Sequence, residues 1–260
     1  MRFTPYTPLL CVLLFLGLMS CKSDDETPPV EDFKAENRKP LGVSAEDLLS
    51  DDIYSTLTVE LAFNETYRPS NVAIAELQDF LETRLNKPGG ISIVQTNVDI
   101  SQGAPFTIQE IRDIEDENRT VYTEGDTMAV YIFFANGSSS NDTQTTVTLG
   151  TAYQNTSIVI YEKTLRDLVL NNPTIDLATL ESTTIQHELG HILGLVNLQN
   201  DDIHTDHEDP SNSKHCVVEE CLMYFESNNG RAIVARFNQR NSVPALDPLC
   251  IADLQAKGGK

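Results

Sequence analysis

Two histidines four residues apart, His187 and His191, act together only if the segment between them is helical. On an α-helix, positions i and i+4 share a face, so both imidazoles can be aimed at one metal ion. Glu188 follows the first histidine and is placed to hold a water beside that metal. Gly194, three residues past His191, predicts an abrupt helix end that turns the chain toward a further ligand. The string His187-Glu188-Leu189-Gly190-His191-Ile192-Leu193-Gly194 is thus a zinc-hydrolase signature lacking its third ligand. Asn197 occupies the position a short spacing would use, but a neutral amide oxygen is a poor zinc ligand beside imidazole. His204, His207 and His215 follow further along the chain and are the other candidates.

The N-terminus reads as a targeting segment. Arg2 precedes an apolar run over 9–18, and Leu18-Met19-Ser20-Cys21 follows. That run is too short to span a bilayer comfortably. It resembles a bacterial lipoprotein signal, in which Cys21 becomes the acylated first residue of the mature chain; an ordinary cleaved signal peptide is the alternative. The acidic stretch Lys22-Ser23-Asp24-Asp25-Glu26 resembles a surface-export signal, and reads equally as a solvated tether. Residues 22–48 are rich in Asp, Glu, Lys and Pro and poor in apolar residues. The expected division is therefore a signal peptide over 1–20, a flexible linker over 21–50 and one catalytic domain over 51–260. A monomer held at the bacterial outer membrane by its lipid, facing the periplasm or the cell surface, is the expected state.

A formal net charge of -21 argues against nucleic acid as a partner, because phosphate binding needs a basic surface. It equally disfavours direct adsorption to anionic lipid, leaving the anchor to hold the protein at the membrane.

Periodicity predicts strands over 55–63, 91–100, 128–134, 145–153 and 157–161. It predicts helices over 71–85, 107–118, 164–170 and 180–193. This alternation argues an α/β (α+β) fold, a sheet packed on the motif helix. After Gly194 the pattern becomes irregular and polar, predicting a small C-terminal subdomain and a metal-holding cleft beside it.

Further on stands His215-Cys216-Val217-Val218-Glu219-Glu220-Cys221-Leu222-Met223. With the helix motif, this resembles the archaemetzincins, a branch of the metzincin metalloproteases. In that family the third zinc histidine is followed directly by Cys, four residues, a second Cys, one residue and Met. His215, Cys216, Cys221 and Met223 keep that spacing. The departure is an insertion: His215 lies twenty-four residues after His191, where the family has six. Such an insertion is tolerable, since loop-closure cost grows slowly with length.

The resemblance implies a metzincin-like mixed twisted sheet, a catalytic zinc on His187, His191 and His215, and Glu188 as general base. Met223 would form the Met-turn beneath the metal. Thr148-Leu149-Gly150-Thr151-Ala152-Tyr153 is similar to the edge strand along which metzincins lay an extended peptide, and Tyr224 is a candidate oxyanion partner. In the family the two cysteines join a later Cys-x-x-Cys pair around a second, structural zinc. Here that pair reads Asp247-Pro248-Leu249-Cys250, so the set would be Cys216, Cys221, Asp247 and Cys250. A Cys216–Cys221 disulfide with Cys250 free is the rival, as suits an exported protein. The acids of the insertion, Asp201, Asp202, Asp206, Glu208 and Asp209, could hold calcium, although a solvated loop fits better because they lack calcium-loop spacing.

The expected function is zinc-dependent endopeptidase action on a peptide or protein substrate. The alternative is a surface binding lipoprotein that retains a structural zinc without proteolysis. Glu188 argues for hydrolysis, since a merely structural zinc needs no general base.

Overall fold

Strand β1 (Thr56–Phe63) has buried residues on both faces, as a central strand must. Strand β3 (Thr127–Phe134) shows why. Its Met128, Val130, Ile132 and Phe134 join one hydrophobic cluster, while Tyr131 and Phe133 join another on the opposite face. Period-two alternation thus feeds two cores, one on each side of the sheet. The computed structural model describes Met1 and residues 32–100, 103, 105–224 and 242–260. The signal peptide, Cys21 and the acidic stretch after it lie outside the described residues.

The sheet has five strands in the order β2-β1-β3-β5-β4, with β2 at Gly90–Asn97, β4 at Gly150–Gln154 and β5 at Ser157–Ile160. All neighbours are parallel except β4, which runs antiparallel to β5 at the edge. The fold is therefore mixed α/β. Helix α2 (Asn71–Arg84) crosses from β1 to β2, burying Ala73, Leu77, Phe80 and Leu81. Ser70 caps it by accepting from the Ala73 amide at 3.1 Å. Helix α3 (Ile108–Asn118) covers the other face with Ile111, and starts at a full capping box between Thr107 and Glu110. Helices α4 (Glu162–Asn171) and α5 (Leu177–Ile192) follow the sheet, and α5 packs on α2, β4 and β5.

Three expectations need correction. Residues 145–149 are not strand: Asp142 and Thr143 hold Thr148 and Thr146 in a turn, and β4 starts only at Gly150. The linker expected over 21–50 is folded from 32 onward, and Asp32–Lys260 forms one unit. Helix α1 (Ala45–Leu49) buries Leu48 and Leu49, and the Asn37 amide is spent on the Ala129 carbonyl at 2.9 Å and on Thr156. A few well-placed apolar and amide groups outweighed a polar composition. Finally, the irregular C-terminal part ends in a regular helix, α6 (Pro248–Ala256). Asp247 is its N-cap and Pro248 its first residue, a start signal visible in the sequence. Among the described residues no helix is long and apolar enough to cross a membrane.

Candidate metal centre

Helix α5 is buried along most of its length, and it carries His187, Glu188 and His191 to the edge of the sheet. It ends as the sequence predicts. Gly194 takes a left-handed φ of 77°, the Gly194 amide donates to the His191 carbonyl, and the Leu195 amide reaches back to Gly190. This closure is a Schellman turn. A side chain at Gly194 would meet Ala45 of α1 within 2.9 Å, so the expected linker packs against the turn below the site.

Past Gly194 the chain makes an excursion and comes back at His215. The three rings of His187, His191 and His215 gather with centroids 4.9 to 5.3 Å apart. One ligating nitrogen from each lies within 4.8 Å of the others. Nδ1 of His187 donates to the Leu222 carbonyl at 2.9 Å, and Nδ1 of His215 to the Ser213 carbonyl at 3.2 Å. A carbonyl can only accept, so the lone pair of each ring resides on Nε2. Nδ1 of His191 is buried without a hydrogen-bond partner among the described residues. A buried polar atom left so is uncommon in a finished core. Burial, and then the neighbouring His187 and His215, push His191 well below the usual imidazole range; burial also lowers His215. Both are thus neutral near pH 7, the state that binds metal. The donor set fits zinc: three neutral imidazoles on one side, with open space on the other.

That space is a cleft of about 580 Å³ bordered by the three histidines, Glu188, Thr148, Gly150, Thr151 and Ala152, with Leu41 and Leu198 at its walls. Edge strand β4 therefore runs along it. Glu188 is fully enclosed, and its Oε2 accepts from the Ala152 amide at 2.8 Å. Burial raises its carboxyl to about 7 against the opposing pull of that amide. Gly150 makes the approach possible, since a Cβ there would stand 2.7 Å from Glu188 Cγ and 2.9 Å from Oε1.

The other third-ligand candidates are elsewhere. Asn197 sits in the left-handed region at φ 57°, its amide bonded to Asp202 and its carbonyl to Lys214 Nζ. His204 donates to Asp253 through Nδ1 at 2.9 Å. His207 is buried in a second cluster with Cys216, Asp247 and Cys250. Cys221 adjoins it, 3.8 Å from Cys250 between sulphurs. No disulfide joins Cys216, Cys221 and Cys250, which departs from the Cys216–Cys221 bridge expected as one alternative. Hydrogen bonds from the Cys216 and Cys250 thiols hold Cys221 well below the usual range; the bond with Cys221 pushes Cys216 up, and those with Cys216 and then Cys221 push Cys250 up. Met223 is fully buried beneath α5. Tyr224 is half-buried and does not border the cleft.

Four of the five acids of the insertion, Asp201, Asp202, Glu208 and Asp209, are spent on the chain's own donors. Asp202 pairs with Lys257 in the interior, Asp209 accepts from Ser211 and Asn212, and Glu208 accepts from Ser213 and Lys214. Asp253 and Lys257, both on or next to α6, had no motif to announce them. Their partners lie about fifty residues away in the sequence, beyond the reach of any local pattern.

Fold and site together describe a mixed α/β protein with a cluster of three histidines able to hold a metal on a sheet-edge cleft. No protein-family model matches the chain, and no curated protein does. Among solved structures, the chain is similar to archaemetzincin from Methanopyrus kandleri, at a TM-score of 0.49 and 14% identity. The match covers 78% of this chain and 96% of that one. At that distance it lends no residue roles, which rest on the geometry above.

Proposed function

We propose that this protein is a zinc-dependent endopeptidase. The observation that carries the reading is Glu188, an enclosed carboxylate fastened to the β4 backbone beside three convergent imidazoles. His187, His191 and His215 would hold the metal. Zinc, when bound, supplies Lewis acidity, activating water for attack and polarising the scissile carbonyl. Glu188, with a carboxyl near 7, takes the proton from the attacking water and returns it to the leaving amine. Strand β4, at the edge of the sheet among the described residues, would take up an extended peptide by strand addition. The enclosed base favours hydrolysis over the binding-lipoprotein alternative, which has no use for it.

The rest of the reading follows the sequence. Lipidation at Cys21 would anchor a monomer to the outer membrane, facing peptide or protein substrates in the periplasm or outside the cell. A second, structural zinc would occupy the buried thiol cluster.

The test is Glu188→Gln in the full-length protein, scored on a peptide mixture with zinc content measured alongside. Zinc should stay bound while cleavage falls by roughly a hundredfold or more. Cleavage at the wild-type rate would sink the assignment. His215→Ala should instead lose the metal.

A further inference from the structure

Five side chains bearing metal-binding atoms meet in the interior away from the cleft: His207, Cys216, Cys221, Asp247 and Cys250, each less than a tenth exposed. We propose that they form a zinc site of three thiolates and one imidazole, with His207 of the insertion as fourth ligand and Asp247 outside the coordination shell. This deepens the second-zinc part of the proposed function and does not depend on catalysis.

Distances favour that set. Tetrahedral zinc, with bonds of about 2.3 Å to sulphur and about 2.0 Å to nitrogen, spaces two sulphurs about 3.8 Å apart and sulphur and nitrogen about 3.6 Å apart. Cys221 and Cys250 are 3.8 Å apart, and Nδ1 of His207 is 3.6 Å from Cys216 and 3.7 Å from Cys250. Asp247 shares the 4.8 Å grouping with His207, Cys216 and Cys250, but its Oδ2 is spaced less evenly, 3.2 Å from Cys216, whose thiol donates to it, and 3.9 Å from His207.

Backbone amides favour it too. The Val218 amide donates to the Cys216 sulphur at 3.4 Å, and the Met223 amide to Cys221 at 3.3 Å. Each is a turn that points an N–H at the sulphur two residues earlier. The Asp247 amide adds a second bond to Cys221 at 3.4 Å. Donors aimed at sulphur stabilise thiolate, the form that binds metal.

His207 is oriented as a ligand. Its Nε2 meets Oδ2 of Asp253 at 3.0 Å, and Asp253 is wholly buried. The carboxylate accepts, so the proton sits on Nε2 and the Nδ1 lone pair faces the sulphurs. This is the carboxylate–histidine arrangement that fixes a metal-binding ring. Oδ1 of Asp253 takes the backbone amide and Nδ1 of His204, tying the insertion to α6 twice over.

Asp247 has other work. Its Oδ1 accepts from the Leu249 and Cys250 amides and caps α6. The site holds the return of the insertion, since Cys216 adjoins His215 and Cys221 lies two residues before Met223.

The experiment is cobalt(II) loading of the reduced full-length protein, read by metal content and by the sulphur-to-cobalt charge-transfer band. Wild type should bind two cobalt ions per chain and show the band, and His215→Ala should keep the band with one ion. His207→Ala should weaken cobalt binding at the thiol site about a hundredfold or more. His207→Cys should keep the ion and strengthen the band as thiolates rise from three to four, separating loss of a ligand from loss of the fold. Asp247→Ser, which can still cap the helix, should change neither. Loss of the band in Asp247→Ser, with both His207 variants unchanged, would overturn the donor set. A wild type that binds cobalt without any charge-transfer band would overturn the second site itself and leave the cleft reading standing.

Discussion

Met223 lies directly against Gly190, so that a Cβ built on Gly190 would overlap the methionine sulphur and come within 3.0 Å of its Cε. Gly190 is one residue before His191. The returning chain is therefore seated on the turn of α5 that carries His187 and His191, and the carbonyl of Leu222, next to Met223, accepts a hydrogen bond from His187 Nδ1.

Gly190→Ala should destabilise the protein despite better helix propensity. Overpacking costs about 1–3 kcal/mol, and the alanine returns at most about 1 kcal/mol. Adding Met223→Ala should relieve the clash, giving a coupling of at least about 0.5 kcal/mol in urea unfolding. Strict additivity of the two changes would show that the pair does not touch.

Gly150→Ala probes the proposed base, Glu188, without touching a proposed ligand. The new methyl would press on Glu188 Cγ and Oε1. Small displacements of a reacting group cost about tenfold to a hundredfold in rate. The expected result is a fall in kcat of that size with zinc content unchanged. A loss of zinc instead would mean that β4 supports the ligands and not the base.

Lys257→Met should be among the most damaging single changes outside the cleft. Nζ of Lys257 pairs with buried Asp202 and donates to the Gly194 carbonyl at 3.0 Å, locking the start of the insertion to α6. Removing one partner strands the other charge in the interior, at a cost of about 3–5 kcal/mol. The double variant Lys257→Met with Asp202→Asn should recover part of the loss in denaturant titrations. No recovery would count against the pair.

The Glu162 contribution to stability should fall as pH rises from about 5 to about 9. Burial, and then the facing Glu181, raise the Glu162 carboxyl to about 9, with Arg166 pulling the other way through its 2.6 Å bond. In the unfolded chain the same group titrates near 4.5. The folded state thus holds an extra proton across this window, so the stabilisation is complete below about 4.5 and lost toward 9. Glu162→Gln should flatten the decline in melting temperature over that range. An unchanged slope would assign the proton elsewhere.

The parts of the site legible in the sequence were those with a period. His187, Glu188 and His191 follow from the i, i+4 geometry of one helix, and Gly194 from the conformation its end requires. The five-strand core was legible for the same reason, because alternating residues in β1 and β3 must face two cores. His215 needed the neighbouring Cys216, Cys221 and Met223 to stand out. Tertiary structure alone decided the rest. It sent His207 to the thiol cluster, folded 32–50 against the Gly194 turn and spent most of the insertion's acids on partners such as Lys257. Helix and strand periods are set by the backbone over a few residues. The course of an aperiodic loop is set by single contacts between residues 46 or 55 positions apart, as in His207 with Asp253 and Asp202 with Lys257, and no local pattern encodes these.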